Sequence, residues 1–447
     1  MQVEGLHAAR VFMGDSLGFH ILFVMFGLTL PVLVSWFEWM GVRRKDQKLI
    51  GVAKFWSKIM TVLVITGVIS GTLIALQMSL VWPGILKFGG EVIGLPFMFE
   101  TYFFLIEAVF LALYMATWNN KKISPSLHAI FGLFVIFGAT MSAFAITSIN
   151  GWMNNPSGFD YIQGKIVNVD VWHAMFSQVA LVEFIHSMPA YYFAVSLVVA
   201  GAYAIKLLKQ KYRDRLTKKF ALDWFIVKRL MWFAAAMLVA LVITADIAGK
   251  YLAKHEPSKL AAVEVVRETG TNVPLVLGGV AMQDGSIKGP HFEVPSGLSI
   301  LAYNSSSAEV KGLNEFPANE QPPLYVHTFF DIKLTLIGGL VLIFALYFFA
   351  YFVRPKWLAK WWVLTPVSLM GIMAIVVIEL GWMITEIGRQ PWAVRGFVTT
   401  EEAVTKTHDI TSFGYIFPLT YVMLFVVTAL AVRRILREEA KANGEKK

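Results

Sequence analysis

The chain contains no cysteine among its 447 residues. That absence removes disulfide bridges, iron–sulfur clusters and metal sites built on thiolate, so any metal has to be held by histidine, methionine, lysine or carboxylate. Charge is scarce too. Only 15% of the residues are charged against 57% hydrophobic, which excludes a soluble enzyme with a polar surface and indicates a polytopic membrane protein. The first ten residues carry Glu4 and Arg10 and lack the basic start, short apolar run and small-residue site of a cleavable signal, so none is expected.

What the chain has instead is long apolar runs. Nine of them, approximately 16–40, 55–81, 93–118, 126–150, 174–205, 224–250, 326–353, 361–386 and 411–432, are long enough to cross a bilayer. The expectation is an all-α membrane protein of about nine transmembrane helices: six over 1–250, a polar external segment over 251–325, and three more with a tail over 326–447. Fourteen Trp and 35 Phe, many near the ends of these runs, fit aromatic belts and equally supply flat surfaces for a planar cofactor.

The net charge of +9 reads as topology rather than as a nucleic-acid interface, so no nucleic-acid partner is expected. Arg43, Arg44, Lys45 and Lys48, then Lys121 and Lys122, then seven Lys/Arg over 206–223, fall in alternate connections. Arg354, Lys356, Lys360 and the basic tail through Lys446 and Lys447 continue that side. The opposite short loops hold only Lys87 and Lys165, which places the amino terminus outside and the carboxyl terminus in the cytoplasm.

Polar groups inside the spans then become informative, because an ionisable residue in hydrocarbon is costly and is read first as functional. His20 lies in the first span, Glu100 and Glu107 seven apart in the third, Glu183 and His186 in the fifth, Lys333 in the seventh, and Glu379, Trp382 and Glu386 along the eighth. Nearly all map to the outer half of the membrane, whereas a transport path would place polar groups through its thickness or at broken helices near the midplane. A lone histidine on an apolar helix is more often a satisfied core residue, but a planar iron porphyrin also needs such a ligand, and His20 and His186 are the best placed. His128 is expected at the interface; His7, His173, His255, His291, His327 and His408 are expected at span ends or in loops, solvated. The paired spacing of Glu100 and Glu107 favours a proton relay over one protonated acid in an interhelical hydrogen bond. In the polar segment, 254–267 reads as an amphipathic helix with Pro257 near its start, and Lys259 and Glu264 are able to bond the two ends of a small polar head group or simply to be solvated. Residues 270–310, rich in Gly, Ser and Asn, read as a mobile excursion on the outer face.

At this point the chain resembles subunit I of the cytochrome bd-type quinol oxidases over essentially its whole length. The resemblance rests most on Lys259-Leu260-Ala261-Ala262-Val263-Glu264, and on Gly381-Trp382 followed by Glu386-Ile387-Gly388-Arg389-Gln390-Pro391-Trp392. It implies a terminal respiratory oxidase of a bacterial or archaeal cytoplasmic membrane that takes electrons from membrane quinol and reduces O2 to water, with charge separation but no pump. It also implies two haem b and one haem d, or a third haem b in its place. By matching position, His186 is an axial ligand of the low-spin haem, His20 and Glu386 are ligands of the two high-spin haems, and Lys259 and Glu264 are the quinol pair on the family's Q-loop. Glu100 and Glu107 match its proton-delivery acids, and Trp382, Arg389 and Gln390 support the carboxylate ligand and propionates.

One position departs from the family: Lys333 stands where methionine is usual. Lysine ligates iron only as the neutral amine, so Lys333 is a ligand, or pairs with a propionate or Asp331 while His327 ligates, or marks a five-coordinate haem. The resemblance implies a second large membrane subunit, with a small single-span subunit as a further candidate partner. The alternative activity is a b-haem electron-transfer subunit without O2 reduction. An ion-coupled transporter would hold no haem at all.

Overall fold

The computed structural model describes residues 2–282, 285–406 and 410–442; His408 and the last tail lysines lie outside the described residues. Among the described residues nine helices are long and apolar enough to cross a membrane. They are α1 (Gln2–Arg44), α2 (Gln47–Leu80), α3 (Pro83–Thr117), α4 (Pro125–Asn154), α5 (Gln178–Leu208), α6 (Ala221–His255), α7 (Val326–Val353), α8 (Trp361–Arg389) and α9 (Ile410–Ala442). Local signals start several of them. Asp46 caps α2 by accepting from the Lys48 amide, Ser177 caps α5 through the Ala180 amide, and Pro83 opens α3, where a missing N–H costs nothing.

The chain divides into two compact units. The first comprises residues 1–150, 157–176 and 401–447. In it α1 packs along α2 and α9, and a buried hydrogen bond of 2.7 Å joins Thr66 of α2 to Thr428 of α9. Helices α3 and α4 approach closely because position 138 is glycine: a Cβ there would fall 2.7 Å from the Glu107 amide nitrogen.

The second unit comprises residues 151–156 and 177–400. Helix α5 packs against α6 and α8, and α8 also packs against α7. Gly371 makes the α5–α8 crossing possible, since a Cβ there would sit 2.6 Å from Val198 Cα.

The polar segment of this unit is better ordered than its composition suggests. Instead of one amphipathic helix over 254–267, α6 runs to His255 and a separate short helix spans Pro257–Val263. Val265 takes a positive φ of 56° just beyond it, which stops the helix. The mobile excursion expected over 270–310 is corrected as well. Leu275–Ala281 and Ile287–Val294 form an antiparallel hairpin, followed by a helix at Gly297–Tyr303. The reason is tertiary. Leu298, Ala302, Val310 and Leu313 are buried in one apolar cluster with Leu260–Val263, Val326 and Ile384, and Leu275 packs on its edge.

Candidate functional site

In the first unit, His20 projects from α1 with Nδ1 2.9 Å from Ser70 Oγ of α2. Gly71 lets the ring approach α2 closely, because a Cβ there would fall 3.0 Å from its Cε1. With Nδ1 taken up by the hydroxyl, Nε2 is the nitrogen able to bind iron, the orientation that hydrogen-bonded metal ligands show. Glu107 is buried beside Gly138, and Glu100, two turns earlier on α3, is half-buried.

The second unit holds the other candidates. His186 on α5 has Nδ1 3.2 Å from Thr244 Oγ1 of α6, the arrangement seen at His20. Lys333 on α7 lies close enough to act on His186 electrostatically. Its Nζ rests against Gly381, where a Cβ would fall 3.3 Å away, and it makes no hydrogen bond or ion pair among the described residues. A buried ammonium without a partner is costly, whereas a neutral amine facing a metal is not. The pairing of Lys333 with Asp331 considered above is not what forms: Asp331 faces His327 instead.

On α8, Glu386 Oε2 is bonded by Arg389, and Trp382 donates to Tyr191 Oη at 3.0 Å. Arg389 Nε and Nη1 are buried donors with no acceptor among the described residues, and Gln390 Oε1 accepts from Thr400 at 3.3 Å. Unmet guanidinium donors beside a carboxylate suit an anionic group such as a porphyrin propionate. Among the described residues no three His, Asp or Glu side chains converge as a metal cluster. Single, separately oriented donors are what a macrocycle requires, since it brings four in-plane nitrogens of its own. On these grounds the residues fit haem.

The short helix Pro257–Val263 carries Lys259 and ends at Glu264, and the two side chains meet different neighbours. Lys259, buried, reaches Glu256 at 3.0 Å and Asn154 at 3.4 Å. Arg395 joins this group through Glu256 at 3.6 Å and Ser258 at 3.0 Å, and Asn154 donates to Glu183 at 3.1 Å. Glu183 is in turn within electrostatic reach of Glu386 and Arg389. Glu264 instead faces Asp331; burial first and that carboxylate second push its pKa up to about 8.

One histidine expectation is corrected. His327 is fully buried, donating from Nδ1 to the Val263 carbonyl at 2.7 Å, with Nε2 3.1 Å from Asp331 but out of line for a hydrogen bond. His128, in the first turn of α4, is not solvated but buried, held by Glu38. The polar partners Glu256, Arg395, Asn154 and Glu38 were missed by sequence reasoning. Only Glu38, an acid inside an apolar run, carried a signal there.

Residues 8–440 match the family described as cytochrome bd terminal oxidase subunit I. The chain is 31% identical over 426 residues to the putative cytochrome bd menaquinol oxidase subunit I of Bacillus subtilis, covering 94% of each chain. It is 28% identical over 448 residues to the cytochrome bd ubiquinol oxidase subunit 1 of the same organism, covering 97% of this chain and 93% of that one. Its fold is similar to the bd oxidase from Geobacillus thermodenitrificans, with a TM-score of 0.90 and 33% identity over 97% of this chain and 98% of the other. With nine membrane-crossing helices among the described residues and singly oriented donors inside them, this chain belongs to the cytochrome bd terminal oxidase subunit I family.

Proposed function

We propose that the chain is the haem-bearing subunit of a membrane oxidase that oxidises quinol and reduces O2 to water. The observation that carries this reading is the pair of histidines His20 and His186, each inside an apolar helix, each with Nδ1 fixed by a hydroxyl of the neighbouring helix. His186 and Lys333 would hold the low-spin haem, and His20 and Glu386 the two others, two of the b type and one of the d type or a third b. When bound, haem supplies one-electron transfer and the iron at which O2 is reduced.

The residues themselves bind, orient and move protons. Arg389 fixes the Glu386 carboxylate and keeps two more donors for a propionate, while Gln390 is held by Thr400 and Trp382 is oriented by Tyr191. Lys259, on the short helix of the Q-loop, and Glu264, at its end, would bond the two oxygen-bearing ends of a quinol head group. Glu264, a carboxyl that burial holds largely protonated at neutral pH, would exchange the quinol proton. Each quinol releases two protons and two electrons, and half an O2 takes up two of each to give one water. With the amino terminus outside, the quinol protons leave on the outer face, and those consumed enter from the cytoplasm by way of Glu107 and Glu100. Charge then separates without a pump.

Quinol, O2 and a second large subunit are the partners of this reading, a small single-span subunit is a further one, and the setting is the bacterial cytoplasmic membrane. The test is oxygen uptake by the purified complex with a soluble quinol as donor. Uptake that stops when quinol is withheld supports the reading. A haem-containing preparation that accepts electrons from quinol yet consumes no O2 would assign it to electron transfer alone.

A further inference from the structure

Near the Lys/Arg-rich end of the first unit, three buried side chains from three helices bond to one another. Tyr114 of α3 donates its hydroxyl to Glu38 Oε2 of α1 at 2.6 Å. His128, in the first turn of α4, has Nδ1 2.6 Å from Glu38 Oε1 and Nε2 3.0 Å from the Tyr114 carbonyl oxygen. Its ring also lies 4.3 Å from the Tyr114 ring and 4.6 Å from that of Trp118, centroid to centroid. Nothing in the site described above uses this group.

Counting protons narrows what it is. A carbonyl oxygen only accepts, so Nε2 carries a hydrogen, and the tyrosine hydroxyl spends its own on Oε2. Nδ1 and Oε1 would then be two acceptors 2.6 Å apart unless one further proton lies between them. The Glu38–His128 pair therefore holds one shared proton and is neutral as a unit, which is how such groups are tolerated in an apolar bundle. Its position is also specific. Tyr114 follows Glu107 by seven residues, as Glu107 follows Glu100, so the three share one face of α3 at intervals of about 10.5 Å. Ser35, one turn before Glu38 on α1, lies beside Tyr114: a Cβ on Gly132 would fall 2.8 Å from Ser35 Oγ and 3.3 Å from Tyr114 Cε2. Hydroxyl and ring thus sit at the same level, on the Glu107 side of the pair.

We propose that the Glu38–His128 pair is the entry station for the protons consumed in forming water, passing its shared proton along the α3 face to Glu107. The proton leaves the pair toward Ser35 and Glu107 across bridging water, and one proton from the aqueous phase at the basic end replaces it, so the pair returns to neutrality. This rests on the oxidase reading above. Two of the charged groups at the same end, Arg43 over Trp39 and Lys54 bonded to Asn119, are tied up in contacts of their own.

The discriminating variant is Glu38→Gln. Glutamine preserves the hydrogen bonds, its oxygen accepting from Tyr114 and its amide donating to a neutral His128, while the shared proton is gone. A purely structural clamp survives that change; a relay does not. The expected result is unchanged haem content and melting temperature, turnover lowered about tenfold or more, and a larger solvent isotope effect on oxygen uptake. Turnover within about twofold of the wild type with an unchanged isotope effect would overturn the proposal. Should Glu38→Gln not assemble, Tyr114→Phe, which keeps the shared proton, is compared with His128→Gln, which removes it. Loss in the second only supports the relay, and equal turnover in both overturns it. Wild-type protein that consumes no O2 would instead sink the oxidase reading, so the two failures are distinguishable.

Discussion

Gly388→Ala puts a methyl group where the Lys259 side chain now runs. The new Cβ would lie 2.8 Å from Cγ, 3.0 Å from Cε and 3.3 Å from Cδ of Lys259, so the clash is along the stem and a swing of the tip alone does not relieve it. Lys259 is buried and its Nζ sits 3.0 Å from Glu256, which limits where it can move. Overpacking of this kind costs about 1–3 kcal/mol if the ion pair survives, and about 3–5 kcal/mol if a buried pair is broken. If the Lys259 ammonium binds quinol and must return to its present position to do so, the lower range alone, at about 1.4 kcal/mol per tenfold, raises KM for quinol by roughly 5- to 150-fold. The haem spectrum stays as it was. Steady-state oxygen uptake against quinol concentration measures this, and a double-mutant cycle with Lys259→Ala isolates the cause, since removing the stem removes the clash. Additive effects of the two substitutions, or an unchanged KM in Gly388→Ala, would show that Lys259 does not couple Gly388 to the quinol.

Lys333→Met, which substitutes a thioether for the amine beside His186, is expected to shift the low-temperature low-spin haem bands and raise the midpoint potential; unchanged bands would count against lysine ligation. Glu264 holds its proton to about pH 8, whereas a carboxyl in the unfolded chain loses it near 4.3, so the native state binds more protons between those values and the stability it contributes is lost as pH rises through that window. Melting temperatures taken from pH 5 to 9 are expected to fall in the wild type relative to Glu264→Gln up to about pH 8, then run parallel; parallel curves throughout would contradict the assignment. Gly371→Ala brings a Cβ to 2.6 Å from Val198 Cα, a backbone atom, so α5 and α8 have to separate at about 1–3 kcal/mol. A melting temperature equal to that of the wild type would show that the crossing is looser than described.

How much of this was legible beforehand follows the physics of each signal. Hydropathy marks the hydrocarbon crossing and nothing else, so α7 was read at 326–353 as it stands, while α1 extends from residue 2 to 44, well past the run seen at 16–40. The hairpin over 275–294 was hidden because it lies within 270–310, a stretch whose Gly, Ser and Asn read as loop, and its order comes from packing on residues far away in sequence. His327 looked like a helix-end residue for the same reason: its burial is made by Val263, 64 positions earlier. Individual site residues were found because an ionisable group in an apolar run is conspicuous on its own. Their partners were not: Ser70 for His20, Thr244 for His186 and Arg395 for Glu256 carry no mark until the helices are folded together.

The most direct test of the central claim is a reduced-minus-oxidised visible spectrum of the purified complex with pyridine-haemochrome quantitation, repeated for His20→Ala and His186→Ala. The account predicts haem in the wild type, loss of the low-spin bands in His186→Ala and loss of a different component in His20→Ala. A folded but colourless wild-type protein, or both variants retaining the full haem complement, would contradict it.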